Sequence, residues 1–111
     1  MKKLYISCPV EGRALLSVLH TVKKMHKIAE VLFDEELEYI DNIRVEELTG
    51  TDLHDLSRHI EFMAQADYFV YIPDCEDRTV YLETEIASAY NIKIASISAK
   101  YVIEENGDIN G

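Results

Sequence analysis

The residues best suited to chemistry gather in the loop Asp74-Cys75-Glu76-Asp77-Arg78 and in the segment after it, where Glu83 stands. In the first turn or so of a helix spanning Val80 to Tyr90, the Glu83 carboxylate points back toward the strand ends. A carboxylate there could attack an anomeric carbon, dividing one difficult displacement into two easier ones. The plain alternative is a surface acid that complements the positive end of a helix. Glu85 competes for the role, but it lies two positions round the helix and cannot face the same site as Glu83. Other chemistries are disfavoured by spacing. The loops lack the glycines of a P-loop or a dinucleotide fingerprint. Cys8 and Cys75 form no C-x-x-C pair, and the four histidines show no zinc spacing. We expect no metal, no cofactor and two reduced thiols.

The elements that must position these residues follow from periodicity. Lys3 to Cys8 is a β-prone run stopped by Pro9, and Pro9 to Arg13 is a loop. From Ala14 to about Phe33, Leu15, Val18, Leu19, Val22, Met25, Ala29 and Leu32 form a helical stripe. Leu37 to Val45 is a weaker strand. Gly50 and Thr51 mark a loop and helix start, and a second helix covers about Asp52 to Ala66. Asp67 to Pro73 is nearly all apolar and aromatic, as in a strand covered on both faces. Asp74 to Thr79 is a polar loop before the Val80 to Tyr90 helix, and Ile92 to Ser98 is the last strand. The predicted order β-α-β-α-β-α-β implies crossover connections. The expected fold is α/β: a three-layer sandwich, flavodoxin- or Rossmann-like, with a mainly parallel sheet of about four strands flanked by helices. Ligands of such sheets bind beyond the carboxyl ends of the strands. That assigns function to Cys8 to Arg13, Pro73 to Thr79 and the stretch after Ser98.

Composition narrows the partners. The chain has 111 residues, 48% hydrophobic, with 11 basic against 21 acidic side chains and a formal charge of −10. That balance suits one globular domain, expected over residues 1–98, with a C-terminal tail over 99–111. Such a charge repels long nucleic acid but leaves room for a small nucleoside or nucleotide held by local donors. MKKLYISCPV has too short an apolar core for a secretory signal, and no run approaches the roughly 20 apolar residues of a membrane span. A cytoplasmic, membrane-free protein is expected.

Tyr71-Ile72-Pro73-Asp74, then Glu76-Asp77 and Glu83, resemble the nucleoside 2-deoxyribosyltransferase family, which includes the related deoxynucleotide N-hydrolases. The family's first strand and small-residue loop are similar to Leu4-Tyr5-Ile6-Ser7-Cys8-Pro9 with Gly12. Its "ADxxV" strand start is similar to Ala66-Asp67-Tyr68-Phe69-Val70. Its "E-x-x-x-A" helix is matched by Glu83 and Ala87, with Lys93 near the usual "GKP" position. The similarity runs from Lys3 to about Ser98, and the order and spacing of the motifs are more specific than any one of them. The resemblance implies cleavage or exchange of the N-glycosidic bond of a (deoxy)nucleoside. Glu83 would be the nucleophile, with Tyr5 steering its carboxylate. Asp77 matches an acid that helps bind sugar or base in the transferases; a serine stands there in the nucleotide hydrolases and helps bind a 5′-phosphate. Glu76 and Asp77 favour an unphosphorylated ligand, whereas Arg78 or Arg13 would favour a phosphate. With the loop residues Cys8, Pro9, Gly12 and Asp74, Asp77 and Arg78 make the expected substrate-binding set. The resemblance further implies a homo-oligomer, a dimer or higher, with Tyr81, Tyr101 and the tail as candidate contacts.

There is one departure: the family's helix aspartate, eight residues before the "AD" aspartate, is His59 here. A histidine with an ordinary pKa near 6.5 can serve as general acid or base, and Asp55 is a substitute one turn earlier. Each of these residues also has a plain structural role. Tyr5 is then a packed strand aromatic, His59 a half-buried helix residue, and Tyr81 and Tyr90 are helix packing. Cys8 and Cys75 are then buried, inert thiols. An alternative function is therefore a catalytically weak or inactive binding module for a nucleoside or nucleotide-derived small molecule. A third is an acidic interaction protein with no pocket at the strand ends.

Overall fold

The computed structural model describes residues 1–10, 12–41 and 56–103. The expected start of the second helix at Asp52, the Gly50-Thr51 loop, Asp55 and the tail from Glu104 lie outside the described residues. In chain order the elements are β1 (Lys2–Ser7), α1 (Leu15–Leu32), β2 (Leu37–Tyr39), α2 (Leu56–Met63), β3 (Tyr68–Tyr71), α3 (Arg78–Ala89), β4 (Lys93–Ser96) and a 3-10 turn, Ala99–Tyr101. The four strands form one sheet in the order β2-β1-β3-β4, and every pair is parallel. This is the expected α/β sandwich.

Alternation along β1 sorts the core into two halves. Leu4 and Ile6 pack with Cys8 and with Val18, Val22, Met25 and Ala29 of α1. Tyr5, on the opposite face, packs with Met63 of α2, Phe69 of β3 and Ala87 of α3. Among the described residues one helix therefore covers one face and two cover the other, which makes the third layer. Each face excludes water from a row of apolar side chains, the main source of stability in such a fold. Leu15 and Leu32 were expected in the α1 stripe, but at the ends of the helix they overhang the sheet and are exposed.

Helix ends explain the boundary differences. Helix α3 begins at Arg78 rather than Val80, because Asp77 caps it by accepting from the Thr79 and Val80 N–H groups. Helices α1 and α3 both stop at a left-handed residue, Asp34 (φ 53°) and Asn91 (φ 59°). The next N–H in each case bonds back five residues, Glu35 to Glu30 and Ile92 to Ala87. That is the Schellman closure, with Asp and Asn in the place glycine usually takes.

Residues after Ser98 are less of a tail than expected. Val102 is 2% exposed and belongs to the core half beneath α1. The 3-10 turn that brings it there is tied to the β3–α3 loop, since the Asp74 carboxylate accepts from the Ala99 N–H at 2.8 Å and the Ser98 hydroxyl at 2.9 Å. Among the described residues no helix is long and apolar enough to cross a membrane.

Candidate active site

Strands β1 and β3 are neighbours, yet the chain leaves β1 for α1 on one face and leaves β3 for α3 on the other. The divergence makes the carboxyl ends of β1 and β3 the topological switch point, the place where doubly wound sheets hold ligands in a crevice. Tyr5 and Ser7 lie two residues apart on β1, so both project to the α2–α3 face, with Ser7 nearer the crevice.

Glu83 faces them from the second turn of α3, two residues further into the helix than expected, because the Asp77 cap moves the helix start upstream. It is 3% exposed. Its Oε1 accepts from the Ser7 hydroxyl at 2.7 Å. Its Oε2 accepts from the Tyr5 hydroxyl and lies 2.9 Å from His59 Nδ1. A carboxylate acting as nucleophile only accepts, and in that state Nδ1 would carry the proton. The Tyr5 hydroxyl and His59 Nδ1 are 3.5 Å apart, two donors converging on one oxygen. His59 is 1% exposed rather than half-buried, because α2 packs across α3 and carries it under that helix. Glu83, Tyr5 and His59 are thus brought together. Three side chains from two elements, β1 and α2, restrain one carboxylate on α3, which suits a group that must attack from a fixed direction.

Glu85 is exposed. It lines a cavity of about 130 Å³ with Tyr71, Ile72, Cys75, Asp77, Tyr81 and Thr84, a lining that includes Asp77 and not Glu83, Tyr5 or Ser7.

The remaining expected residues surround the crevice and mostly hold it together. Asp77 is buried; besides capping α3 through Oδ1, it accepts the Val10 N–H on Oδ2 at 3.2 Å, which pins the β1–α1 loop to α3. Asp74 anchors the 3-10 turn, and the Ala99 N–H and Ser98 hydroxyl hold its carboxyl below the ordinary value. Arg13 is committed internally, to the Pro9 carbonyl at 2.9 Å, the Ser17 carbonyl at 3.2 Å and the Thr21 hydroxyl at 2.7 Å. Arg78 is exposed at the first position of α3. Gly12 turns the loop with φ of 70°, and a Cβ there would meet nothing within 4 Å, so backbone conformation rather than close approach sets its requirement. Cys8 ends β1 as a free, buried thiol whose pKa burial pushes up to about 12, with Arg13 partly offsetting the rise. Cys75 is also free; its thiol donates to the Ile72 carbonyl at 3.2 Å, and burial raises its pKa. Tyr81 and Tyr90, expected to pack, are exposed instead, Tyr81 at 72%.

Sequence reasoning did not single out Ser7. The available signal was its place two residues after Tyr5, at the end of a strand feeding the crevice. Among the described residues no group of three or more His, Cys, Asp or Glu side chains is arranged to hold a metal ion. Compared with known proteins, the chain matches no family model and no curated protein. Fold and site define a doubly wound α/β protein with a restrained, buried glutamate at its topological switch point.

Proposed function

We propose that this chain is a nucleoside 2-deoxyribosyltransferase-like enzyme that cleaves or exchanges the N-glycosidic bond of an unphosphorylated deoxynucleoside. The observation that carries the reading is Glu83: a carboxylate at the β1–β3 crevice, held on both oxygens by Ser7, Tyr5 and His59. A glutamate oxygen attacks C1′, and the electron pair of the breaking C1′–N bond leaves on the base nitrogen, which takes up a proton from solvent. Water, or the nitrogen of a second base, then attacks C1′ and releases Glu83, while the incoming nucleophile gives up its proton. The committed Arg13 and the carboxylate already seated on the α3 N–H groups both favour a ligand without phosphate, because they occupy the groups an anion would use. The exposed Tyr81 and Tyr101 offer surface for assembly into a dimer or higher oligomer.

Incubation with 2′-deoxynucleosides should release base, or exchange it when a second base is added. A 2-deoxy-2-fluoro nucleoside should leave a glycosyl adduct on Glu83, located by peptide mass spectrometry. Glu83→Gln should lower turnover by about 10³-fold or more, since it removes the nucleophile outright. Neither base release nor adduct from folded protein would end the proposal. A second reading, a binding module without turnover, draws on the burial of Glu83 beneath three donors. It predicts that a deoxynucleoside raises the melting temperature of wild type and Glu83→Gln alike, with no product from either.

A further inference from the structure

We infer that Ser7 is a positioning residue that selects Oε1 of Glu83 as the attacking oxygen, an inference that rests on the glycosidic reading above. The two carboxylate oxygens are not equivalent. Oε2 receives two donors, the Tyr5 hydroxyl and His59 Nδ1, and each carboxylate oxygen has about two in-plane acceptor positions, so Oε2 is filled. Oε1 receives one, from Ser7 at 2.7 Å, and keeps a lone pair for an electrophile. Ser7 is the last residue of β1, two positions beyond Tyr5, so the oxygen it holds lies toward the carboxyl end of the sheet, the end at which such sheets take ligands.

The Ser7 hydroxyl is spent on Glu83, so Ser7 acts through that carboxylate. Its backbone is fixed as well: it pairs with Tyr71 in the sheet and its carbonyl accepts from the Ile72 N–H at 3.3 Å. The hydroxyl therefore hangs from a rigid strand, whereas Glu83 reaches the site through a long flexible side chain. With Oε2 held by Tyr5 and His59, the bond to Oε1 adds restraint on the other oxygen and so narrows the terminal torsion, a broad, nearly two-fold one, along the line of attack. Misalignment of that kind costs rate at the chemical step and leaves ground-state binding unchanged.

Ser7→Ala should lower kcat by about 10- to 100-fold with KM changed by less than about 3-fold. Ser7→Thr, which keeps the hydroxyl, should return most of the rate, and the rate of trapping by the 2-fluoro nucleoside should follow kcat across the series. Thermal melts confirm which variants are folded. Should Ser7→Ala not fold, Ser7→Cys serves instead: its weak donor should place kcat between those of wild type and the expected alanine value. Turnover in wild type with an undiminished kcat in folded Ser7→Ala, or in folded Ser7→Cys, would overturn the role of Ser7 and leave Glu83 as nucleophile. A fall in Ser7→Thr equal to that in Ser7→Ala would overturn it too, since shape rather than the hydroxyl would then matter. No turnover and no adduct in wild type would remove the glycosidic reading and this inference together.

Discussion

Removing the Asp77 carboxylate should unfasten two parts of the crevice at once. Its Oδ1 accepts the Thr79 and Val80 N–H groups at 2.9 and 3.1 Å, and its Oδ2 accepts the Val10 N–H at 3.2 Å. Asp77→Ala strips all three N–H groups of their acceptor in a buried setting. Losing a helix cap costs about 1–2 kcal/mol, and losing the loop bond about 1 kcal/mol more. The expected destabilisation is about 2–3 kcal/mol, which for a chain of this length lowers Tm by about 10 °C. Asp77→Asn keeps a cap acceptor but turns either a donor or the same shared oxygen toward Val10, so its loss should be about half as large. Urea denaturation at neutral pH measures both. Amide exchange gives the location: Val10, Thr79 and Val80 should lose protection in Asp77→Ala, while amides in the middle of α3 keep theirs. A destabilisation below about 0.5 kcal/mol, or protection lost evenly along α3, would refute the bridging role.

Two further outcomes follow from titration, beside those for Glu83 and Ser7. The Cys8 thiol, pushed up to about 12 by burial, should resist alkylation in the native protein at pH 8 and react only on unfolding. Because its unfolded value is about 9, its contribution to stability is complete below pH 9 and is lost as pH rises toward 12; Cys8→Ala should flatten that alkaline limb in urea melts. The Asp74 carboxyl is shifted the other way, so its contribution is present above the ordinary value of 3.8 and is lost as pH falls through the lower native value. Asp74→Asn should make the acid limb of stability shallower and loosen the Ala99–Tyr101 turn, seen as faster exchange of the Ala99 amide.

Element type and order were legible in the residues, because burial on one or two faces imposes a period. The α1 stripe of Val18, Val22, Met25 and Ala29 and the apolar run Tyr68 to Tyr71 each satisfy one geometry only. Ends were less legible. Asp77 reads as a loop acid, and its capping role depends on a backbone turn that its own side chain helps create. Leu15 and Leu32 fit the stripe by period, yet a helix longer than the sheet it crosses leaves its ends overhanging, and strand length is not written in the helix.

The site divides in the same manner. Local order marked Glu83 as a carboxylate on the helix after the polar loop, since that requires only residue type and chain position. Tertiary packing alone decided that His59 is wholly buried against Glu83 and that Ser7 completes the set. Those contacts join residues 24 to 78 positions apart. They form because a parallel sheet places β1 beside β3 and lays α2 and α3 across the same face, and distances of that kind have no counterpart in local sequence.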